Sequence, residues 1–146
     1  MRVTMQPGKS MWPSRLPVVQ VRIARPTDKL EEVVRFYSKG LGLKILTSFQ
    51  EHAGYSGFIL GLPGAEYQLE FTHHKRGSPC PVPTQDNLLV LYVSDRKAVD
   101  QIAARLEGMG HHPVSPENPY WKKGVTVEDP DGWRVVLVGL ESLNET

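Results

Sequence analysis

The sequence predicts an α+β protein built from two βαβββ modules, and three observations carry that reading. A strand, a helix and three short strands follow one another, and after a proline-rich break the same order begins again. The glycine-marked helix ends, Leu41-Gly42 and Met109-Gly110, stand about 68 residues apart, which sets the repeat length. The chain has 146 residues, 40% of them hydrophobic, enough for one domain with a real core. Neither half alone could bury its helix and sheet faces, so the halves should pair.

The first strand is read in VVQVRIA (18–24), where Val19, Val21 and Ile23 alternate with Gln20, Arg22 and Ala24. Pro26 breaks it. Asp28 has the position of a helix N-cap, and Glu31 completes a capping-box spacing. Leu30, Val33, Val34, Tyr37 and Leu41 then form one apolar stripe at helical spacing. LKILTSF (43–49), YSGFILGL (55–62) and EYQLEFT (66–72) are strand candidates. Residues 75–86, KRGSPCPVPTQD, form a proline-rich linker between modules spanning 17–74 and 87–140.

The second module opens with NLLVLYV (87–93). Asp95 is the expected N-cap of a helix whose stripe is Ala98, Val99, Ile102, Ala103, Leu106 and Met109. HHPVS (111–115), GVTVE (124–128) and WRVVLVG (133–139) complete the strand set. Residues 1–16 are expected to be a flexible arm, able to clamp through Trp12 or to fray, and residues 141–146 a tail.

Seventeen basic and sixteen acidic residues leave a formal charge of +1, so nothing points to nucleic acid or to an anionic membrane. No apolar run approaches the ~20 residues of a membrane span. The first 17 residues lack the apolar centre of a secretory signal. Cys80 is the only cysteine, which excludes an internal disulfide and fits a cytoplasmic protein. A glycine-rich phosphate loop, a CxxC pair and a nucleophile elbow are all missing, which argues against a nucleotide-binding enzyme or a serine hydrolase.

The duplicated order, RFYSKGLGLKI (35–45) and EDPDGWRVVLV (128–138) resemble the vicinal oxygen chelate superfamily, which includes glyoxalase I, extradiol dioxygenases, and fosfomycin- and bleomycin-resistance proteins. The likeness covers residues 18–139. It implies an open, cup-shaped mixed β-sheet with the helices outside, a cleft for a small molecule, and a homodimer. Metal-dependent members resemble one another at four cleft positions, which fall here on Arg22 (Gln20 with a shift of two), Glu70, Leu88 and Val136. Only Glu70 keeps ligand chemistry, since guanidinium offers no lone pair and Leu and Val have no donor. A catalytic metal generally needs about three protein ligands, so the usual metal centre, and any cofactor, is expected to be absent.

Alternation along the strands puts Gln20, Arg22, Glu70, Tyr92 and Arg134 on the cleft side and leaves an apolar set for the helices. Arg22 or Arg134 could grip a carboxylate or phosphate. Glu70 could act as a base, and Tyr92, Tyr120 and Trp121 offer ring faces. The competing reading of Arg22 and Glu70 is a simple ion pair within the sheet. NPYWKKG (118–124) reads equally as a lid or as an ordinary loop pinned by Trp121. The adjacent pairs His73-His74 and His111-His112 point to opposite faces of a strand and cannot chelate one ion together. Asp129-Pro130-Asp131-Gly132 is favourable turn chemistry that needs no active-site explanation.

The reading preferred from sequence is a glyoxalase/bleomycin-resistance-like protein that binds a small organic molecule without the usual divalent metal. The alternative is an enzyme of the lyase, isomerase or dioxygenase kind, with Glu70 as base or metal anchor. Drug sequestration is a third option, which a near-neutral chain does not favour for a cationic drug.

Overall fold

A computed structural model describes residues 13–62, 67–82 and 84–144. Most of the expected N-terminal arm, with Trp12, lies outside the described residues, as do the last two residues of the tail.

Among the described residues seven strands form two sheets. Sheet A contains β1 (Val21–Pro26), β2 (Lys44–His52), β3 (Tyr55–Gly61) and β4 (Tyr67–His74), in the order β1-β4-β3-β2. Sheet B contains β5 (Leu88–Val93), β6 (Val125–Glu128) and β7 (Arg134–Gly139), in the order β5-β7-β6. In each sheet the first strand of the module runs parallel to the last, β1 beside β4 and β5 beside β7, and the other pairings are antiparallel. A parallel neighbour needs a crossover. Helix α1 (Leu30–Arg35) lies in the first crossover and α2 (Arg96–Gly108) in the second.

The fold corrects four expectations. HHPVS (111–115) is not a strand: Val114 makes one isolated bridge to Thr126. Pro113 and Pro116 flank it and cannot donate to a ladder. The second module therefore has three strands. The capping box at Asp28 does not form either. Lys29 occupies the N-cap with no side-chain cap, while the Asp28 carboxylate accepts from the Ser78 backbone N–H. A tertiary partner has taken the cap. Asp95 does cap α2, accepting from the Ala98 N–H at 2.8 Å.

The third correction concerns α1, whose stripe continues into a π-turn (Phe36–Gly40). Leu41 donates to the Phe36 carbonyl across the wider turn, and both Phe36 and Tyr37 are buried. Gly42 ends the segment at φ +98°, where a side chain would be strained. Fourth, Val19 and Ile23 do not pack away. They are 79% and 58% exposed, because β1 is the outer strand of sheet A.

One core spans both modules. Phe36, Tyr37 and Leu69 of the first belong to the same buried cluster as Val99, Leu106 and Leu137 of the second. The helix ends touch: a Cβ on Gly40 would stand 2.5 Å from Leu106 Cδ2, and Arg105 Nε donates to the Gly40 carbonyl at 2.8 Å.

Candidate functional site

The two sheets repeat one pairing register. Arg22 faces Gln68 and Ala24 faces Glu70 in sheet A; Leu88 faces Arg134 and Val90 faces Val136 in sheet B. The four cleft positions read from sequence are therefore equivalent pairs, Arg22 with Leu88 and Glu70 with Val136.

On sheet A these residues form a polar cluster. Arg22 Nη1 lies 3.2 Å from Glu70 Oε1. Its Nε and Nη2 donate to Gln68 Oε1 at 3.2 and 3.0 Å. The Arg22 side chain is 43% exposed and that of Glu70 18%. The guanidinium still faces water, and Glu70 Oε2 has no described partner. Gln20 precedes β1 and borders a shallow hollow of about 280 Å³ with Val19, Leu46, Tyr67 and Gln68.

Sheet B differs. Arg134 is buried; its Nε donates to Glu128 Oε2 at 3.1 Å and its Nη1 to the Ser115 carbonyl at 3.0 Å. Tyr92 is 45% exposed and borders an apolar groove of about 630 Å³ between the sheets. Trp121 lies in a 3-10 turn (Pro119–Lys123), edge-on to Tyr120 with ring centres 4.9 Å apart. Asn118 caps that turn, and Lys123 ties it to the Ser142 carbonyl. Thus Arg22, Gln68 and Glu70 come together, and Arg134, Tyr92 and Trp121 stand elsewhere. No hydrogen bond or ion pair among the described residues joins the two sets.

The donor set does not suit the metal of the metal-dependent relatives. Arg22, Leu88 and Val136 supply no lone pair, and the one carboxylate is bonded to a cation. Among the described residues no group of three His, Cys, Asp or Glu side chains could hold a metal ion. Three of the histidines make local contacts. His73 Nδ1 lies 2.9 Å from the Thr27 carbonyl, His74 Nδ1 accepts from the Arg76 N–H, and the His111 ring packs edge-on against Phe36.

A second polar cluster, unread in the sequence, joins the modules. Arg25 of β1 bonds Asp129 at 2.6 Å and Asp131 at 3.0 Å. The Tyr37 hydroxyl donates to Asp129 Oδ2 at 2.9 Å. Asp129 Oδ1 accepts from the Asp131 and Trp133 N–H groups. The acidic turn is therefore both a turn and an anchor. Burial pushes the Asp129 carboxyl above its ordinary value, opposed by the Arg25 charge and by the bonds from Tyr37, Trp133 and Asp131. Burial likewise holds the Tyr37 phenol well above its usual range, with the Asp129 charge adding to the rise. The available signal was Arg25 itself, a charge in phase with Val21 and Ile23 on the helix-facing side of β1.

Comparison with known proteins agrees with this architecture. Residues 21–72 match the YycE-like N-terminal domain and residues 86–139 the YycE-like C-terminal domain. YycE of Bacillus subtilis strain 168 is 48% identical over 132 residues, which cover 90% of this chain and 95% of the relative. A Bacillus subtilis YycE crystal structure, described as a candidate glyoxalase/fosfomycin-resistance protein of unknown function, superimposes with a TM-score of 0.78. It is 52% identical, and the match covers 82% of this chain and 88% of that one. The trypanothione-dependent glyoxalase I of Leishmania major has a TM-score of 0.67 at 20% identity, over 85% and 88% of the two chains. TnmS3, an antibiotic-binding protein from Streptomyces sp. CB03234, has a TM-score of 0.62 at 23% identity, over 85% and 98%. With both domains matched in order and a relative almost half identical along nearly its whole length, the chain belongs to the YycE-like family and has the glyoxalase/bleomycin-resistance, or vicinal oxygen chelate, fold.

Proposed function

We propose that the chain binds a small organic molecule on the Arg22 face of sheet A and does so without a divalent metal. One observation carries the reading: a guanidinium, an amide and a carboxylate are held together on a sheet face that remains partly open to solvent. Arg22 offers planar donors to a ligand carboxylate or phosphate, and Glu70 Oε2 can accept from a ligand N–H or O–H. The reading is supported by the donor set, in which three of four cup positions cannot ligate a cation, and by TnmS3, which shares the fold and is named as binding an antibiotic.

The working unit is a homodimer. Val19, just before β1, and Ile23 on it are exposed, β1 is the outer strand of sheet A, and among the described residues no aromatic ring stacks on Arg22. A second copy would supply both an edge partner and a wall for the cup. Among the described residues no helix is long and apolar enough to cross a membrane; the single cysteine supports a cytoplasmic setting.

A thermal-shift screen of small carboxylates, phosphates and amides against the protein and its Arg22→Ala variant tests the binding reading. A compound that raises the melting temperature of the parent but not of the variant supports it. Metal analysis of protein purified without chelator, followed by titration with nickel, zinc, manganese and iron, tests the rest. Near-stoichiometric uptake lost in Glu70→Gln would replace this reading with an enzyme anchored on Glu70.

A further inference from the structure

Between the sheets lies a cavity of about 210 Å³ that the Arg22 cluster does not touch. It lies on the side of β1 occupied by Ile23 and Arg25. Hydrocarbon from Ile23, Leu69, Leu88 and Leu89 lines it, along with the rings of Phe71 and Trp133. Arg25, Tyr37, Asn87 and Arg134 supply polar groups to the same wall. The Arg25 guanidinium carbon is 5.1 Å from the ring centres of both Phe71 and Trp133.

Donors in this wall outnumber their described acceptors. Arg25 spends Nη1 on Asp131 and Cys80, and one Nη2 hydrogen on Asp129. Its Nε–H has no described partner. The Trp133 indole N–H is buried and has none either. Trp133 Nε1 is sealed from the cavity, so Arg25 Nε–H is the donor left for an added acceptor in this wall. The charge balance decides what kind. Two guanidiniums line the cavity and three carboxylates already answer them, Asp129 and Asp131 on Arg25 and Glu128 on Arg134, so a further anion would be repelled. A cation would find apolar walls and no free carboxylate.

We propose that this cavity is a ligand site separate from the Arg22 face. Its occupant is a small, uncharged, mostly apolar molecule with one hydrogen-bond acceptor directed at Arg25.

Three probes that share a phenyl ring test this on the full chain: acetophenone, benzoate and benzylamine. The readout is the indole N–H resonance of Trp133, assigned by its loss in Trp133→Phe. Acetophenone should shift it saturably, and both charged probes should bind about tenfold more weakly or less. Leu89→Phe, or Leu88→Phe if the first variant does not fold, should fill the cavity and abolish the shift. Glu70→Gln should leave it unchanged, which separates this site from the Arg22 face. A shift that never saturates, that survives the filling variant, or that benzoate produces equally well overturns the proposal. So does a resonance that moves with protein concentration instead of probe, since the cavity would then be closed by a second copy.

Discussion

The two sheets use one register and carry opposite chemistry. On sheet A, the face with Arg22, Gln68 and Glu70 is polar and partly open. On sheet B, β7 is buried along its whole length, so Val136 and Val138 are as dry as Val135 and Leu137 on the reverse side. The two sheets also differ at their edges. Residues 111–115 do not extend sheet B; the segment makes one bridge at Val114, and the Ser115 carbonyl takes a bond from Arg134. The connection is held to sheet B by these two contacts. One duplicated plan thus gives a partly open polar face and a buried apolar one.

The sharpest test places the acid of sheet A into sheet B. Val136→Glu would bury a carboxylate beside Val90 and Thr126. Raising its pKa by ~3 units costs about 4 kcal/mol, and overpacking adds about 1. The folded pKa then lies above the unfolded value of about 4.3. The charge penalty is therefore absent below that pH and grows as pH rises toward the folded pKa. Urea melts near pH 4 and pH 7 measure it. A loss that ignores pH would mean that this face admits water and that the two sheets are less different than described.

The joint between the modules comes next. Asp129→Ala leaves Tyr37 without its acceptor, Arg25 with Asp131 alone, and two turn N–H groups unpaired. Breaking a buried pair from one side costs about 4 kcal/mol. Urea unfolding followed by Trp fluorescence and by circular dichroism should show one earlier transition. Two separated transitions would show that the modules fold independently and that the shared core is weaker than its burial suggests.

Tyr37→Phe removes a single bond to a buried carboxylate and should cost about 2 kcal/mol at neutral pH. Its pH dependence has a defined sign. Burial raises the Tyr37 pKa in the folded protein. Its proton-linked stability is therefore complete below the unfolded value of about 10 and is lost as pH rises through the folded one. The gap between parent and variant should close in alkaline melts. A gap that stays constant through pH 10 and above would place the phenol in water and remove it from the joint.

These elements also show what the sequence could reveal. Alternation and glycine spacing made the repeat legible, because a period of two and a helix stop are local facts. The side of Arg22 and Glu70 was legible for the same reason. Arg25 was not, because its partners lie more than a hundred residues away in the acidic turn. The turn looked self-sufficient, since Asp, Pro and Gly suit a turn whatever else they touch. HHPVS failed as a strand because two prolines outweighed a favourable order of elements. The Asp28 cap failed because Ser78 competed for the same oxygen. In each miss a long-range partner, or a missing donor, overrode a local pattern.

The smallest effect is expected on the open face, where Glu70→Val gives sheet A the residue that sheet B has at the equivalent place. Arg22 is 43% exposed and keeps Gln68 and water, so the lost ion pair should cost no more than about 1 kcal/mol. Compounds found to bind through Arg22 should lose affinity in this variant, while its melting temperature stays close to that of the parent. A loss of several kcal/mol, above all one that depends on protein concentration, would show this face covered by a second copy. Solution scattering of the parent would then show a dimer that dissociates in the variant. The contrast between the sheets would become one between a face closed by its own chain and a face closed by another.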